Sequence, residues 1–282
     1  MPEFQLFRIK FYKPRQDDWV DGTIEPRAMV EQAIMAKPSS ELRSGYVWHI
    51  GNTAKVGDEG LYFALGRTTP SVVEMWDEEL GRFDDTEFES SPYTHVFVDL
   101  TFQVCAIARK TRLSPTIDGI ARNLQRLLNS GGTAISRGLF EVSEIKNPDS
   151  FIASLRNAHA ILKLAVSFER PNPWDVNQDF QKPLEDALEK VNGTKGRAEL
   201  AGEDLDEESV EEIARSAAAT GNNATARIIE TPDSKPLTRS MDKDSVSFSE
   251  EEVDGQTAWR RILNRIRELY LAVRDTPEGD VG

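Results

Sequence analysis

Two carboxylates and a lysine come closer to a reaction than any other residues of this chain. Glu144-Ile145-Lys146 sets an acid and an amine two apart in an extended segment, so both side chains share one face. A further acid, Asp99, closes the apolar run Val96-Phe97-Val98. Two strand-borne carboxylates can hold a divalent cation such as Mg²⁺, and a neighbouring lysine can position or activate water. The chemistry these three would serve is metal-dependent cleavage of nucleic acid.

The Glu144-Ile145-Lys146 ending resembles that of the metal-dependent nuclease core found in restriction endonucleases. The resemblance covers those three residues and implies Mg²⁺ as cofactor, with Asp99 as the upstream acid. The chain departs from that pattern in placing a whole helix and a further strand between Asp99 and Glu144. Outside this alternative no cofactor and no metal site is expected, and no other stretch resembles a named family. His49, His95 and His159 lack the i, i+4 spacing that sets two imidazoles on one helix face, so they read as structural or surface residues. Cys105 lies in an apolar strand and reads as packing. The glycines of Gly51–Gly60 fit neither a dinucleotide fingerprint nor a phosphate loop. Gly131-Gly132-Thr133 could offer backbone N–H groups to an anion, or simply stop a helix.

Positioning these residues requires strands and helices in alternation. Phe4–Tyr12, Tyr46–Asn52, Gly60–Arg67 and Ser71–Trp76 carry the alternating or continuous apolar patterns of strands, and His95–Phe102 with Gln103–Ala108 reads as a central strand or a tight strand pair. Asp77–Phe83 reads as a turn, with Gly81 free to take positive φ. Helices are expected from Pro26 to about Lys37 and from Ser114-Pro115 to Leu128, with Ser114 as N-cap and Pro115 at N1. The later chain reads as strand (Gly138–Ile145), helix (Pro148–Asn157), strand (Ala160–Phe168), a rigid Arg170–Trp174 connection, and helices Phe180–Val191 and Glu207–Thr220. A short strand (Ala224–Glu230) follows, and Ser245–Phe248 is a candidate strand within the polar stretch after it. The last helix, Gln256–Arg274, carries Trp259, Ile262, Leu263, Ile266, Leu269, Tyr270 and Val273 on an apolar surface.

Charge is strongly segregated. The net charge is −14, which disfavours nonspecific contact with nucleic acid. Glu74–Glu89 holds eight acids against Arg82 alone, and Glu203–Glu212 forms a second acidic block. The latter leads into a helix start, where the macrodipole favours negative side chains. Arginines concentrate on two helices: Arg122 and Arg126, spaced i, i+4, and Arg260, Arg261, Arg265 and Arg267. Forked guanidinium groups suit carboxylate and phosphate alike.

The pattern predicts an α+β protein, with mixed α/β as the alternative. An N-terminal antiparallel sheet with packed helices would precede a second α/β lobe and a C-terminal amphipathic helix. The expected division is residues 1–130, 133–230, a flexible acidic and polar connection at 231–255, and the helix at 256–275; one continuous domain is the alternative. No apolar run is long enough to cross a bilayer, and the N-terminus lacks the layout of a signal peptide, so the cytoplasm and no membrane partner are expected. The leading functional expectation is an acidic interaction or regulatory subunit of a microbial complex, with antiviral defence as one setting. It would contact a protein through Asp77, Glu78, Glu79, Asp84 and Asp85. Arg122, Arg126, Arg260, Arg261 and Arg265 form the basic face open to nucleic acid, and homo-oligomers are compatible with the pattern. The competing expectation is the nuclease or a nucleic-acid sensor.

Overall fold

The computed structural model describes residues 1–12, 25–130, 138–169, 180–191, 193, 195–241 and 244–275. Its architecture is α+β, built on one large antiparallel sheet and a smaller second one. The large sheet comprises β1 (Glu3–Tyr12), β2 (Ser39–Arg43), β3 (Tyr46–Val56), β4 (Gly60–Asp77), β5 (Arg82–Ser90), β6 (Tyr93–Asp99), β7 (Val104–Ala108), β8 (Leu139–Glu144) and β13 (Ser247–Ser249). Their order is β13-β1-β7-β6-β4-β3-β2; β8 shares an edge of β1 with β13, and β5 pairs only with β4. The small sheet runs β10 (Lys195–Ala201), β9 (Ala160–Glu169), β11 (Ala224–Ile229) and β12 (Leu237–Ser240). The helices are α1 (Pro26–Met35), α2 (Ile117–Ser130), α3 (Asp149–Arg156), α4 (Gln181–Lys190), α5 (Glu207–Ala219) and α6 (Gln256–Arg274).

The two-residue period of the strands sorts their side chains onto two faces. In β1, Phe7, Ile9 and Phe11 join Leu61, Phe63, Leu65, Val96, Val98 and Cys105 beneath α1 and α2. Phe4 and Leu6 face the other way, into a core with Tyr62, Phe97, Val104, α5, α6 and the small sheet. That second core draws on residues from Phe4 to Val273, so β1 and α6 pack into one apolar body. Trp259 of α6 stacks on Tyr62 of β4 at 4.4 Å between ring centroids, and its indole N–H donates to the Val253 carbonyl at 2.8 Å.

Several elements differ from expectation for physical reasons. The α2 N-cap is Thr116, whose hydroxyl accepts from the Gly119 amide at 3.1 Å; the helix begins after Ser114-Pro115 rather than on them. Gly60–Arg67 and Ser71–Trp76 are one strand, β4. Pro70, which lacks an amide donor, is tolerated there because β3 has ended at the level of Thr68 and the edge is free. In the polar segment 231–255 the candidate strand Ser245–Phe248 overlaps the edge strand β13, and the edge strand β12 is an addition. Gly131-Gly132-Thr133 and Arg170–Trp174 lie outside the described residues.

Candidate interaction site

Asp99 is fully buried at the end of β6 and faces α6. Its Oδ2 accepts from Nε of Arg267, and its Oδ1 accepts from the Phe102 amide at 2.9 Å. Arg267 also reaches Glu59 at 2.8 Å. The guanidinium beside Glu59 holds that carboxyl below its usual range, by hydrogen bond first and charge second. Asp99 therefore anchors the last helix to the sheet. Glu144 lies elsewhere: Asp99 stands opposite Val104, Val104 opposite Arg8, and Arg8 opposite Ser143. Three strand spacings, roughly 14 Å, separate the two acids.

The register puts Glu144 opposite Phe7, on the α2 face, whereas Asp99 points toward α6. The structure keeps Glu144 with Lys146 but does not bring Asp99 to them. Glu144 Oε2 pairs with Lys146, while Oε1 accepts from Gln5 at 2.5 Å and from the Ser245 hydroxyl. The acid electrostatically coupled to this pair is Asp118 in the first turn of α2. Loss of hydration raises its pKa, Glu144 raises it further, and Lys146 and Arg122 oppose both. Among the described residues no group of three or more His, Cys, Asp or Glu is placed to hold a metal ion.

The arginines of α6 largely meet the chain's own acids. Arg261 pairs with Glu250 at 2.8 Å and Arg265 with Glu268 at 3.2 Å; Arg260 borders a shallow cleft with Asp58 and Glu59. In the second acidic block, Asp206 caps α5 by accepting from the Ser209 amide at 2.9 Å. Buried Glu211 binds Arg156 and Arg215. Those acids have structural work inside the fold.

The first acidic block is different. Thr69–Asp77 of β4 and Arg82–Ser90 of β5 form a two-stranded ribbon that continues past the sheet. Beyond Thr68 no third strand joins it, so both ribbon edges are unpaired among the described residues. Asp77 Oδ1 accepts from the Glu79 and Leu80 amides at 2.9 Å and closes the turn, which Gly81 completes at φ +58°. Asp84 pairs with Arg82 at 2.8 Å. Glu74, Glu78, Glu79, Asp85, Glu87 and Glu89 have no cationic partner among the described residues.

Apolar groups accompany the acids. Of the thirteen large apolar side chains exposed among the described residues, seven lie on this ribbon, including Phe83 at 74% exposure and Trp76 at 52%. Trp76 and Phe83 are directly opposed near the tip, edge to face at 5.0 Å. Register places them on the same side as Val72, Glu74, Asp85 and Glu87, so one face presents two aromatic rings beside three carboxylates. The acids are plain in the sequence as a contiguous block, whereas the aromatic pair becomes evident only in the register of the two strands. Its signal lies in the alternation Val73-Glu74-Met75-Trp76 and Phe83-Asp84-Asp85, in which acids and apolar groups share an exposed strand.

Arg122 is exposed on α2, and Arg126 beside it donates to the Leu42 carbonyl at 2.7 Å. That contact brings Arg126 to the β2–β3 hairpin, where Arg43 and Arg67 lie 5.3 and 4.9 Å from the Tyr46 ring centre. Arg67 donates to the Arg112 carbonyl at 2.9 Å. Four arginines from four distant segments thus gather where the ribbon leaves the sheet.

No family model matches the chain, and no curated protein matches it. Among the described residues no helix is long and apolar enough to cross a membrane.

Proposed function

We propose that this chain is an interaction or regulatory subunit of a microbial protein complex, acting in the cytoplasm, with antiviral defence as one setting. It grips a protein through the β4–β5 ribbon. The observation that carries this reading is the ribbon itself: a projecting two-stranded arm whose exposed aromatic pair sits among carboxylates that the fold does not neutralise. A solvated loop needs no such apolar surface, and contiguous exposed aromatics mark contact sites. The chemistry calls for a partner face with an apolar pocket and a basic rim. Burying what is exposed of Trp76 and Phe83 would contribute roughly 1–2 kcal/mol each, and the acids would mainly steer encounter.

The test is Trp76→Ala with Phe83→Ala in the full chain, tagged and expressed at native level. Both side chains lie outside the two cores, so the variant should keep the parental circular-dichroism spectrum and urea midpoint. Its recovery of the co-purifying protein should fall at least about tenfold. Recovery at the parental level from the folded variant would remove the ribbon from the interface.

A further inference from the structure

We infer that the face which receives the ribbon is present on this same chain, and that a second copy supplies it. Two molecules related by a two-fold axis lay their ribbons antiparallel, and the acidic aromatic tip of each meets the arginine cluster around Tyr46 of the other. This rests on the reading of the ribbon as a docking arm and names its partner.

Most arginines of the chain that lie near an acid are already paired, including Arg82, Arg109, Arg156, Arg215, Arg239, Arg261, Arg265, Arg267 and Arg274. Arg43, Arg67, Arg112 and Arg126 are not: among the described residues none contacts a carboxylate. Arg43, Arg67 and Arg126 are nevertheless held in place, and the Arg112 backbone adjoins them. Arg43 and Arg67 pack on the Tyr46 ring. Arg67 and Arg126 each donate one nitrogen to a backbone carbonyl. Nε of Arg67 is buried with no hydrogen-bond partner. A pre-organised group of guanidiniums loses little freedom on meeting carboxylates, the ligand that their planar fork fits.

Geometry keeps the acids of the ribbon tip from neutralising the cluster within one molecule. Arg67 precedes by two residues the first ribbon pair, Thr69 with Ser90, while Asp77 ends the same continuous strand and Glu78 and Glu79 follow in its turn. Nine residues of extended chain span roughly 30 Å, and β4 cannot fold back upon its own base. A second ribbon running antiparallel to the first puts tip beside base at both ends at once. Both contacts form together, and the two-fold arrangement closes as a dimer. The unpaired outer edges of β4 and β5 leave room for the ribbons to lie side by side. Nucleic acid fits the arginines less well, because a phosphate backbone entering the cluster would pass the acidic ribbon at its border.

Light scattering coupled to size exclusion tests this with the full chain. At about 50 mM salt the parent should pass from its 31.6 kDa monomer mass to twice that mass as concentration rises, and return to monomer at about 500 mM. Glu78→Lys, Glu79→Lys and Asp85→Lys together should weaken the dimer at least about a hundredfold, as should Arg43→Glu, Arg112→Glu and Arg126→Glu together. Each set repels itself, yet the two proteins mixed in equal amounts restore both tip-to-base contacts and should form a heterodimer. Circular dichroism and urea midpoints confirm that each variant is folded. A parent monomeric at every concentration and salt, a dimer indifferent to either reversal, or a mixture that stays monomeric overturns the proposal. So does a monomeric parent that binds a labelled single strand through the same arginines. If the parent is monomeric but Trp76→Ala with Phe83→Ala still loses a co-purifying protein, self-association alone falls and the interaction reading stands.

Discussion

His95 illustrates how surroundings decide a side chain's charge. It projects from β6 toward Tyr62, whose hydroxyl lies 3.0 Å from Nδ1, and Tyr93 packs edge-on at 5.7 Å. Burial lowers its pKa from the ordinary 6.5; Asp254 opposes the shift and Lys110 adds to it. The unfolded chain therefore takes up the proton at a higher pH than the native one does. In that window the unfolded state holds more protons, so stability rises with pH and falls as pH drops through and below about 6.5. The urea midpoint of the parent should fall more steeply between about pH 7 and pH 5 than that of His95→Gln. Parallel slopes would mean that the native imidazole is not shielded. Asp99 shows what the sequence could and could not convey at this scale. A strand-ending acid was legible; its cation, Arg267, lies 168 residues further along and belongs to another periodic pattern. Without that partner a buried carboxylate looks like a metal ligand.

At the level of elements, legibility followed burial. The span of α6 was readable to the residue, because one apolar stripe facing a sheet leaves a regular period. The apolar face of α2 was equally plain, although its cap was not: Ser114-Pro115 and Thr116 both satisfy local chemistry, and the accepted amide selects Thr116. By contrast β2, β5 and β10 are exposed strands without an apolar face. Their pairing is fixed by neighbours in space rather than by their own periodicity. The seat of α6 on the sheet depends on Gly60. A Cβ there would run into the Leu263 side chain and stand 2.7 Å from the Val56 carbonyl oxygen. Gly60→Ala should therefore lift the helix and destabilise the protein by about 2 kcal/mol, read by urea unfolding. An unchanged midpoint would show that Leu263 repacks freely.

Across the whole molecule, two apolar bodies share one sheet, and the ribbon belongs to neither. Residues between Thr69 and Ser90 contribute no side chain to either core. Replacing residues 70–89 by a tight Asn-Gly turn should leave the unfolding free energy within about 1 kcal/mol of the parent, measured by urea denaturation. A loss of about 3 kcal/mol or more would make the arm part of the folding unit. The arginine cluster was hidden for a reason that also operates at this scale. Arg43, Arg67, Arg112 and Arg126 come from a hairpin, a strand, a loop and a helix, and only the assembled sheet brings them to one rim. Sequence blocks exposed the acids because those are contiguous.

The bare edges of the ribbon carry a liability as well as a use. A strand edge that accepts one neighbour can accept a row of them, and such rows grow into fibres. Here each added arm would bring six further carboxylates against those already stacked, while both arginine rims of the pair would already be occupied by tips. Repulsion would then climb with each addition as attraction stayed constant. The negative charge of this arm would serve as a counter, allowing a pair and refusing a filament.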